Sequence, residues 1–381
     1  APSGTAGNRN FMAHAVVLGL PLLAYLAIAA RRRMIGVLWA GAFAIAIAAL
    51  VLSRCRAAWL AAAAMLPAAG VLYALAPREL RSQLSRARMT LLTAILVAAV
   101  GAAIFLPNRL SWGANGAAYA DTISRLGDYR SGTGRGRVIQ YRNTIRMAAD
   151  NPLLGVGPGN WSIEYPRYAT PGDPSYRRGS LQPVNRLPNT DWLGMLSERG
   201  AIALASLLLA FALMGARSLR ALRRAGDGRA AVVLLTLLGL AITGSLDAVL
   251  IRPEPSLLLF AILGAAVPLG RTFEWPIAAR VRRTGISLAL VATMLLGFRA
   301  AELIRFSHIG ATNPTNQATL RRALEADPGS YAVLAMLATW RVRAGDCRRA
   351  IGYGRRALAL HPNLEYVRRA LIPCTRLTAS R

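Results

Sequence analysis

The chain has 381 residues, 54% of them hydrophobic and 17% charged, with a formal net charge of +29. That balance excludes an ordinary soluble enzyme of this length and indicates a polytopic membrane protein whose first partner is lipid. Apart from three His, every basic residue is Arg; topology accounts for much of the charge, so no nucleic-acid partner is expected.

The chain opens Ala-Pro-Ser-Gly without a signal peptide, and further spans are expected upstream. Residues 11–30 form an apolar run of membrane-spanning length that stops at Arg31-Arg32-Arg33. A second span, 37–52, ends in Ser53-Arg54-Cys55-Arg56, and a third, 57–76, runs into Arg78, Arg81, Arg86 and Arg88. The fourth covers 91–106. A long polar loop, 108–189, follows before a fifth span at 202–216, extended backwards by 192–196 and closed by Arg217, Arg220, Arg223, Arg224 and Arg229. Spans at 230–251, 256–270 and 286–304 complete about eight, the last carrying Arg299 and Glu302 in its final turns.

Short Arg-rich loops after the first, third, fifth and seventh spans are cytoplasmic by the positive-inside rule. The long loop, Arg54, the link at Arg252 and the C-terminal region are therefore expected on the outer face of the membrane. Beyond the last span, Arg321-Arg322-Ala323-Leu324-Glu325-Ala326-Asp327-Pro328 returns as Arg355-Arg356-Ala357-Leu358-Ala359-Leu360-His361-Pro362. The offset has the tetratricopeptide period, which predicts helical hairpins forming an interaction module. Two partial repeats are too few for a free-standing solenoid, so they are expected to pack on the membrane domain or on an envelope protein partner. Cys347 and Cys374 share this region and can pair in an oxidising compartment.

Within the long loop, residues 137–150 read as a helix with Val138, Tyr141, Ile145 and Ala148 on one face. Arg142 and Arg146, one turn apart, form a fork suited to phosphate oxygens or a solvated face. Arg135 and Arg137 sit among glycines whose amides can help to bind an anion. The run Gly132-Thr133-Gly134-Arg135-Gly136-Arg137 lacks the strand, the Lys and the acidic residue of nucleotide-binding loops. Arg54, at the outer end of a span, is favoured as functional. Asp247 reads either as a local ion pair with Arg252 or as a wall of a cavity. Asp191 and Glu198, seven residues apart, share a helical face as candidate general bases or as helix N-terminal charges. His14, His308 and His361 are scattered and Cys is sparse, so neither a protein-built metal site nor a cofactor is expected, and the loop has no His for a Ser-His-Asp triad.

Several blocks resemble the O-antigen ligase/polymerase family: Gly4-Thr5-Ala6-Gly7-Asn8-Arg9-Asn10-Phe11; Ser53-Arg54 with Ala58-Trp59-Leu60; Gly136-Arg137 leading to Asn151-Pro152-Leu153-Leu154-Gly155-Val156-Gly157-Pro158-Gly159-Asn160; and Asn189-Thr190-Asp191-Trp192-Leu193 through Leu196-Ser197-Glu198-Arg199-Gly200. The resemblance runs from Gly4 to about Gly270. It implies a metal-independent membrane glycosyltransferase that takes a glycan from undecaprenyl diphosphate on the outer face. The acceptor would be a lipid, a growing glycan or a protein. Outer-face Arg residues hold the diphosphate in that family, and Arg54 and Arg137 stand at matching places. Ligases carry a His-Asn pair where this chain has Asn189-Thr190, which leaves the acceptor-side base open.

The expected fold is all-α: a membrane domain over 1–304 and tetratricopeptide-like repeats over 305–381. Arg54 and Arg137 are the expected diphosphate ligands, supported by Arg135, Arg142 or Arg146, with Asp191 or Glu198 as acid/base. The alternatives are a lipid-linked glycan flippase or a non-catalytic envelope scaffold.

Overall fold

A computed structural model describes residues 8–83, 86–105, 118–124, 127–170, 173, 175, 187–266, 284, 291 and 317–379. The expected eighth span, 286–304, lies outside these residues apart from a single position. Among the described residues every regular element is helical, and six helices are long and apolar enough to cross a membrane. The protein is an all-α polytopic membrane protein. The chain divides into two compact units, one of residues 1–158 with 187–270, the other of residues 159–186 with 271–381.

The first unit begins with α1 (Arg9–Ala29), α2 (Arg33–Ser53) and α3 (Arg56–Leu75). Asn8 caps α1, its side-chain oxygen accepting the amide of Asn10 at 2.9 Å. A short α4 (Arg78–Gln83) precedes α5 (Arg86–Phe105). Arg88 donates to the carbonyls of Ile28 and Ala30 at 2.6 and 2.8 Å, which satisfies the C-terminal end of α1 and ties it to the start of α5. Ala13, Val17, Leu18, Ile47, Ala58, Ala61, Val233 and Leu240 pack in the centre, where small residues allow close helix approach.

The long loop contains α6 (Ala118–Ser124), α7 (Gly132–Asp150) and a short α8 (Trp161–Glu164). The helix expected over 137–150 starts a turn and a half earlier, because Asp128 accepts the amides of Arg130 and Ser131 at 2.9 and 3.0 Å and so organises the turn before it. Gly134 belongs to this helix, and a Cβ there would collide with the Asp128 carbonyl. The inward face of α7 also differs from expectation. Gln140, Asn143, Thr144, Met147 and Ala148 are buried, whereas Val138 and Ile145 are about half exposed. Polar Gln140, Asn143 and Thr144 share the packed face with Met147 and Ala148, and Val138 and Ile145 stand outside it.

Then come α9 (Asp191–Ala225), α10 (Arg229–Leu246) and α11 (Pro253–Ala266); the last holds the described part of the expected seventh span, whose positions 267–270 lie outside the described residues. α9 joins the expected fifth span and its backward extension, with a break at Gly200, whose φ of 77° and ψ of 178° belong to a region open essentially to glycine. The break frees backbone groups, and the segment after α7 takes them up. Val156 and Gly157 donate to the carbonyls of Ser197 and Glu198, each at 2.9 Å, while the amide of Ala201 turns to the Pro152 carbonyl at 2.8 Å. This backbone clip leaves no room for side chains at its crossing points. A Cβ on Gly155 would meet the backbone of Glu198, and one on Gly200 would meet the Leu153 carbonyl.

The second unit holds α12 (Gln317–Ala326), α13 (Tyr331–Arg343), α14 (Cys347–Leu360) and α15 (Glu365–Ala379), two helical hairpins in sequence. Ser330 and Asp346 cap α13 and α14, Arg341 pairs with Asp346 at 3.1 Å, and Cys347 and Cys374 form a disulfide between α14 and α15. Residues 159–186 of the long loop belong to this unit. Trp161 stacks on Tyr165, the Tyr165 hydroxyl donates to Asp173 at 2.7 Å, and Asn363 donates to the Ala169 carbonyl at 2.9 Å. The hairpins are therefore completed by the chain's own loop segment.

Two predictions follow from these contacts. Gly155→Ala and Gly200→Ala should each lower the stability of the detergent-purified protein by about 2–4 kcal/mol, read as thermal melting, because each combines a positive-φ backbone that is costly for a side chain with a collision. Gly19→Ala, in an open helical position, should leave it nearly unchanged. In the second unit, burial pushes the His361 imidazole down to about 4. The unfolded chain binds the proton first, so stability is complete above roughly pH 6.5 and declines towards pH 4, by about 3 kcal/mol. Hydrogen exchange across residues 317–379 should show this slope, and His361→Phe should flatten it.

Candidate functional site

At one end of the first unit, four separate stretches of chain bring polar side chains together. α2 closes with Arg54 in the left-handed conformation, φ 51° and ψ 33°, a geometry that costs a non-glycine residue about 1–2 kcal/mol. Ser53 fixes that corner. Its hydroxyl donates to the Leu50 carbonyl at 2.7 Å and accepts the amide of Cys55 at 3.2 Å. The turn sends the Arg54 side chain to α6, where Nε donates to Thr122 Oγ1 at 2.8 Å. Trp59 braces the same corner by donating to the Leu50 carbonyl at 2.9 Å and lying parallel to Tyr119 of α6.

Cys55 touches His14 of α1, Sγ to Nε2 at 3.6 Å. His14 is fully buried and Nε2 lies 3.8 Å from Asp247 Oδ2, at the C-terminal cap of α10. The same oxygen receives Asn10 Nδ2 at 3.3 Å and Arg137 Nη2 at 3.5 Å. A chain of contacts thus runs from the Arg54 corner through Cys55, His14 and Asp247 to Arg137. The guanidinium that meets Asp247 comes from α7, 110 residues away in sequence. Arg252, the neighbour expected from the sequence, lies with its guanidinium 3.9 Å over the Phe11 ring, a cation–π contact.

The floor of this region is held by the start of α9. Asp191 is 1% exposed, and its carboxylate accepts the amide of Val249 at 2.9 and 3.0 Å and that of Leu250 at 2.8 Å. It fixes the link after α10, and Gly244 makes room for it: a Cβ there would stand 2.8 Å from Asp191 Oδ2. Asn189, at the position where the resembling ligases carry His, donates through backbone and side-chain nitrogens to Gln140 Oε1 at 2.8 and 2.7 Å. Tyr141 donates to the carbonyls of Asn189 and Ser245 at 2.8 and 3.2 Å. Burial pushes its phenol up to about 12, so it acts as a donor throughout the ordinary pH range.

Of the expected site residues, Arg54 and Arg137 thus lie at the two ends of one cluster. Arg135, Arg142 and Arg146 are exposed on the side of α7 turned away from Gln140 and Asn143, and none of them joins it. Glu198 is buried at the backbone clip, with Arg199 Nη1 at 3.4 Å. Sequence reasoning missed Asn10, His14, Gln140 and Tyr141. An ionisable residue inside an apolar run was the available signal for His14, but only folding brings positions 14, 55, 137 and 247 together. Among the described residues no group of three or more His, Cys, Asp and Glu side chains is arranged to hold a metal ion.

Comparison with known proteins adds one result. No curated protein matches the chain. A family model described as O-Antigen ligase matches residues 41–208, a stretch that includes Arg54, Arg137, Asn189, Asp191 and Glu198 and stops before Asp247. Over residues 41–208 the chain is similar to the O-antigen ligase family, whose chemistry is glycan transfer.

Proposed function

We propose that this protein transfers a glycan from a polyprenyl-diphosphate carrier to an acceptor hydroxyl at the outer face of the bacterial cytoplasmic membrane. The observation that carries this reading is the position of Arg137, partly exposed at the helix ends and held only loosely by Asp247. A guanidinium so placed can engage the two phosphates of a lipid carrier by paired hydrogen bonds and remains charged at any relevant pH. Arg54, locked by its turn and by Thr122, adds a second positive charge at the other end of the cluster. The acceptor oxygen attacks the anomeric carbon with inversion, and the bond to the diphosphate breaks with its electron pair passing to the leaving group. Fixed guanidinium groups stabilise that growing charge, which assigns to arginine the work that a metal does in other transferases.

Within this reading Asp191 is a positioning residue, because its carboxylate already serves the amides of Val249 and Leu250. Glu198 belongs to the framework around the Gly200 break. The exposed Arg135, Arg142 and Arg146, beside Val138 and Ile145, suit contact with lipid headgroups. The helical hairpins of the second unit, of tetratricopeptide type in our reading, would recruit the acceptor or an envelope protein. Their disulfide supports an oxidising, extracytoplasmic location, in line with the Arg-rich loops facing the cytoplasm.

Arg137→Ala should insert and melt normally yet reduce glycan transfer by about 10²–10³-fold, as loss of one transition-state donor does. Transfer at the wild-type rate would remove the central residue of this proposal. Orientation is tested separately. In intact cells Cys347 and Cys374 should react with a membrane-impermeant thiol reagent only after reduction by a membrane-impermeant phosphine, and labelling that also requires permeabilisation would place the second unit inside.

A further inference from the structure

We propose that Asp247 is the proton acceptor for the incoming hydroxyl and that Arg137 blocks it until the diphosphate arrives. This inference rests on the glycan-transfer reading above. The acceptor-side base has to come from somewhere other than position 189, since an amide does not titrate and that of Asn189 is tied to Gln140 at 2.7 Å. Asp191 is engaged by three contacts of 2.8–3.0 Å from backbone amides. Asp247 is held differently. Its Oδ1 accepts the adjoining Ala248 amide at 2.9 Å, while Oδ2 faces Asn10 at 3.3 Å, Arg137 at 3.5 Å and His14 at 3.8 Å. Charge-assisted hydrogen bonds normally close to about 2.7–2.9 Å, so Oδ2 is flanked by two donors, Asn10 and Arg137, and by the His14 ring without being locked by any of them.

Exposure sorts the members of this cluster. The side chains of Arg137 and Asp247 are 17% and 10% exposed, whereas His14 is 0% exposed behind them. Arg137 and Asp247 can therefore meet a substrate, and His14 flanks the carboxylate from the buried side. One Nη2 contact to Oδ2 is a small part of what a five-donor guanidinium offers. A diphosphate carries more charge and more acceptor oxygens than one carboxylate, so it draws the guanidinium to itself. A carboxylate that loses a cationic neighbour binds a proton more readily. Carrier binding thus unblocks the base at the step that needs it.

The reaction then balances. The hydroxyl proton passes to Asp247 Oδ2, the acceptor oxygen bonds to the anomeric carbon, and the carbon–oxygen bond to the diphosphate breaks. The electron pair stays on the departing polyprenyl diphosphate, which Arg137 now holds. Protons and charge are conserved without a further reactant.

The test uses the full chain and two readouts: binding of undecaprenyl diphosphate to purified protein, and release of undecaprenyl diphosphate from endogenous lipid-linked glycan in native-host membranes. Asp247→Asn should bind undecaprenyl diphosphate at least as tightly as wild type and slow its release by about 10²–10⁴-fold, while Asp247→Glu should recover part of the turnover. Wild-type turnover in Asp247→Asn overturns the assignment of the base and leaves the glycan-transfer reading standing. A parallel fall in binding, turnover and melting temperature in both variants also overturns it, since that pattern marks a structural residue. Failure of the wild type itself to bind undecaprenyl diphosphate overturns the underlying function.

Discussion

A helix that breaks within a membrane protein exposes amides and carbonyls where water is scarce, and each unsatisfied group is costly. The break at Gly200 is repaired by three backbone hydrogen bonds from the segment after α7, and much of the site depends on that repair. It joins the C-terminal end of α7 to α9, which sets where Arg137 can reach. It also allows the first turns of α9 to take a course of their own, bringing Asp191 to the amides after α10. The glycines at 155 and 200 are thus part of how the charged groups find one another.

The cluster around Asp247 follows from the same economy of polar groups. A carboxylate at the end of a helical bundle needs donors, and it draws them from α1 and α7 as well as from its own backbone. Those connections cross sequence distances that no local pattern encodes. His14 looks like one of three unrelated histidines along the chain, yet in space it stands between Cys55 and Asp247.

What could be read in the sequence was what hydropathy and composition control. Apolar runs located the six membrane-length helices, the fifth running nine residues past its expected end and the others lying within about five residues at either end, because burial in hydrocarbon demands length. The motif containing Arg54, Arg137 and the Asn151–Asn160 block led to the family. The orientation of α7 was misread for a physical reason. Apolar periodicity finds a face only where the packing surface is apolar, and here Gln140, Asn143 and Thr144 turn inward while Val138 and Ile145 are half exposed. The role of Asp191 was hidden too, since a helix N-terminal carboxylate and a ligand of remote amides look identical in one dimension.

The long loop is divided between the two units. Residues 159–186 leave the membrane unit after Pro158 and return at Leu187, and the chain crosses again after Gly270. A domain appended by a single linker can turn without disturbing its host. This one is sewn in by three covalent leads, one just beyond the end of α7 and another just ahead of α9. Two of the three crossings thus lie in the chain next to α7 and α9, the helices that carry Arg137 and Asp191.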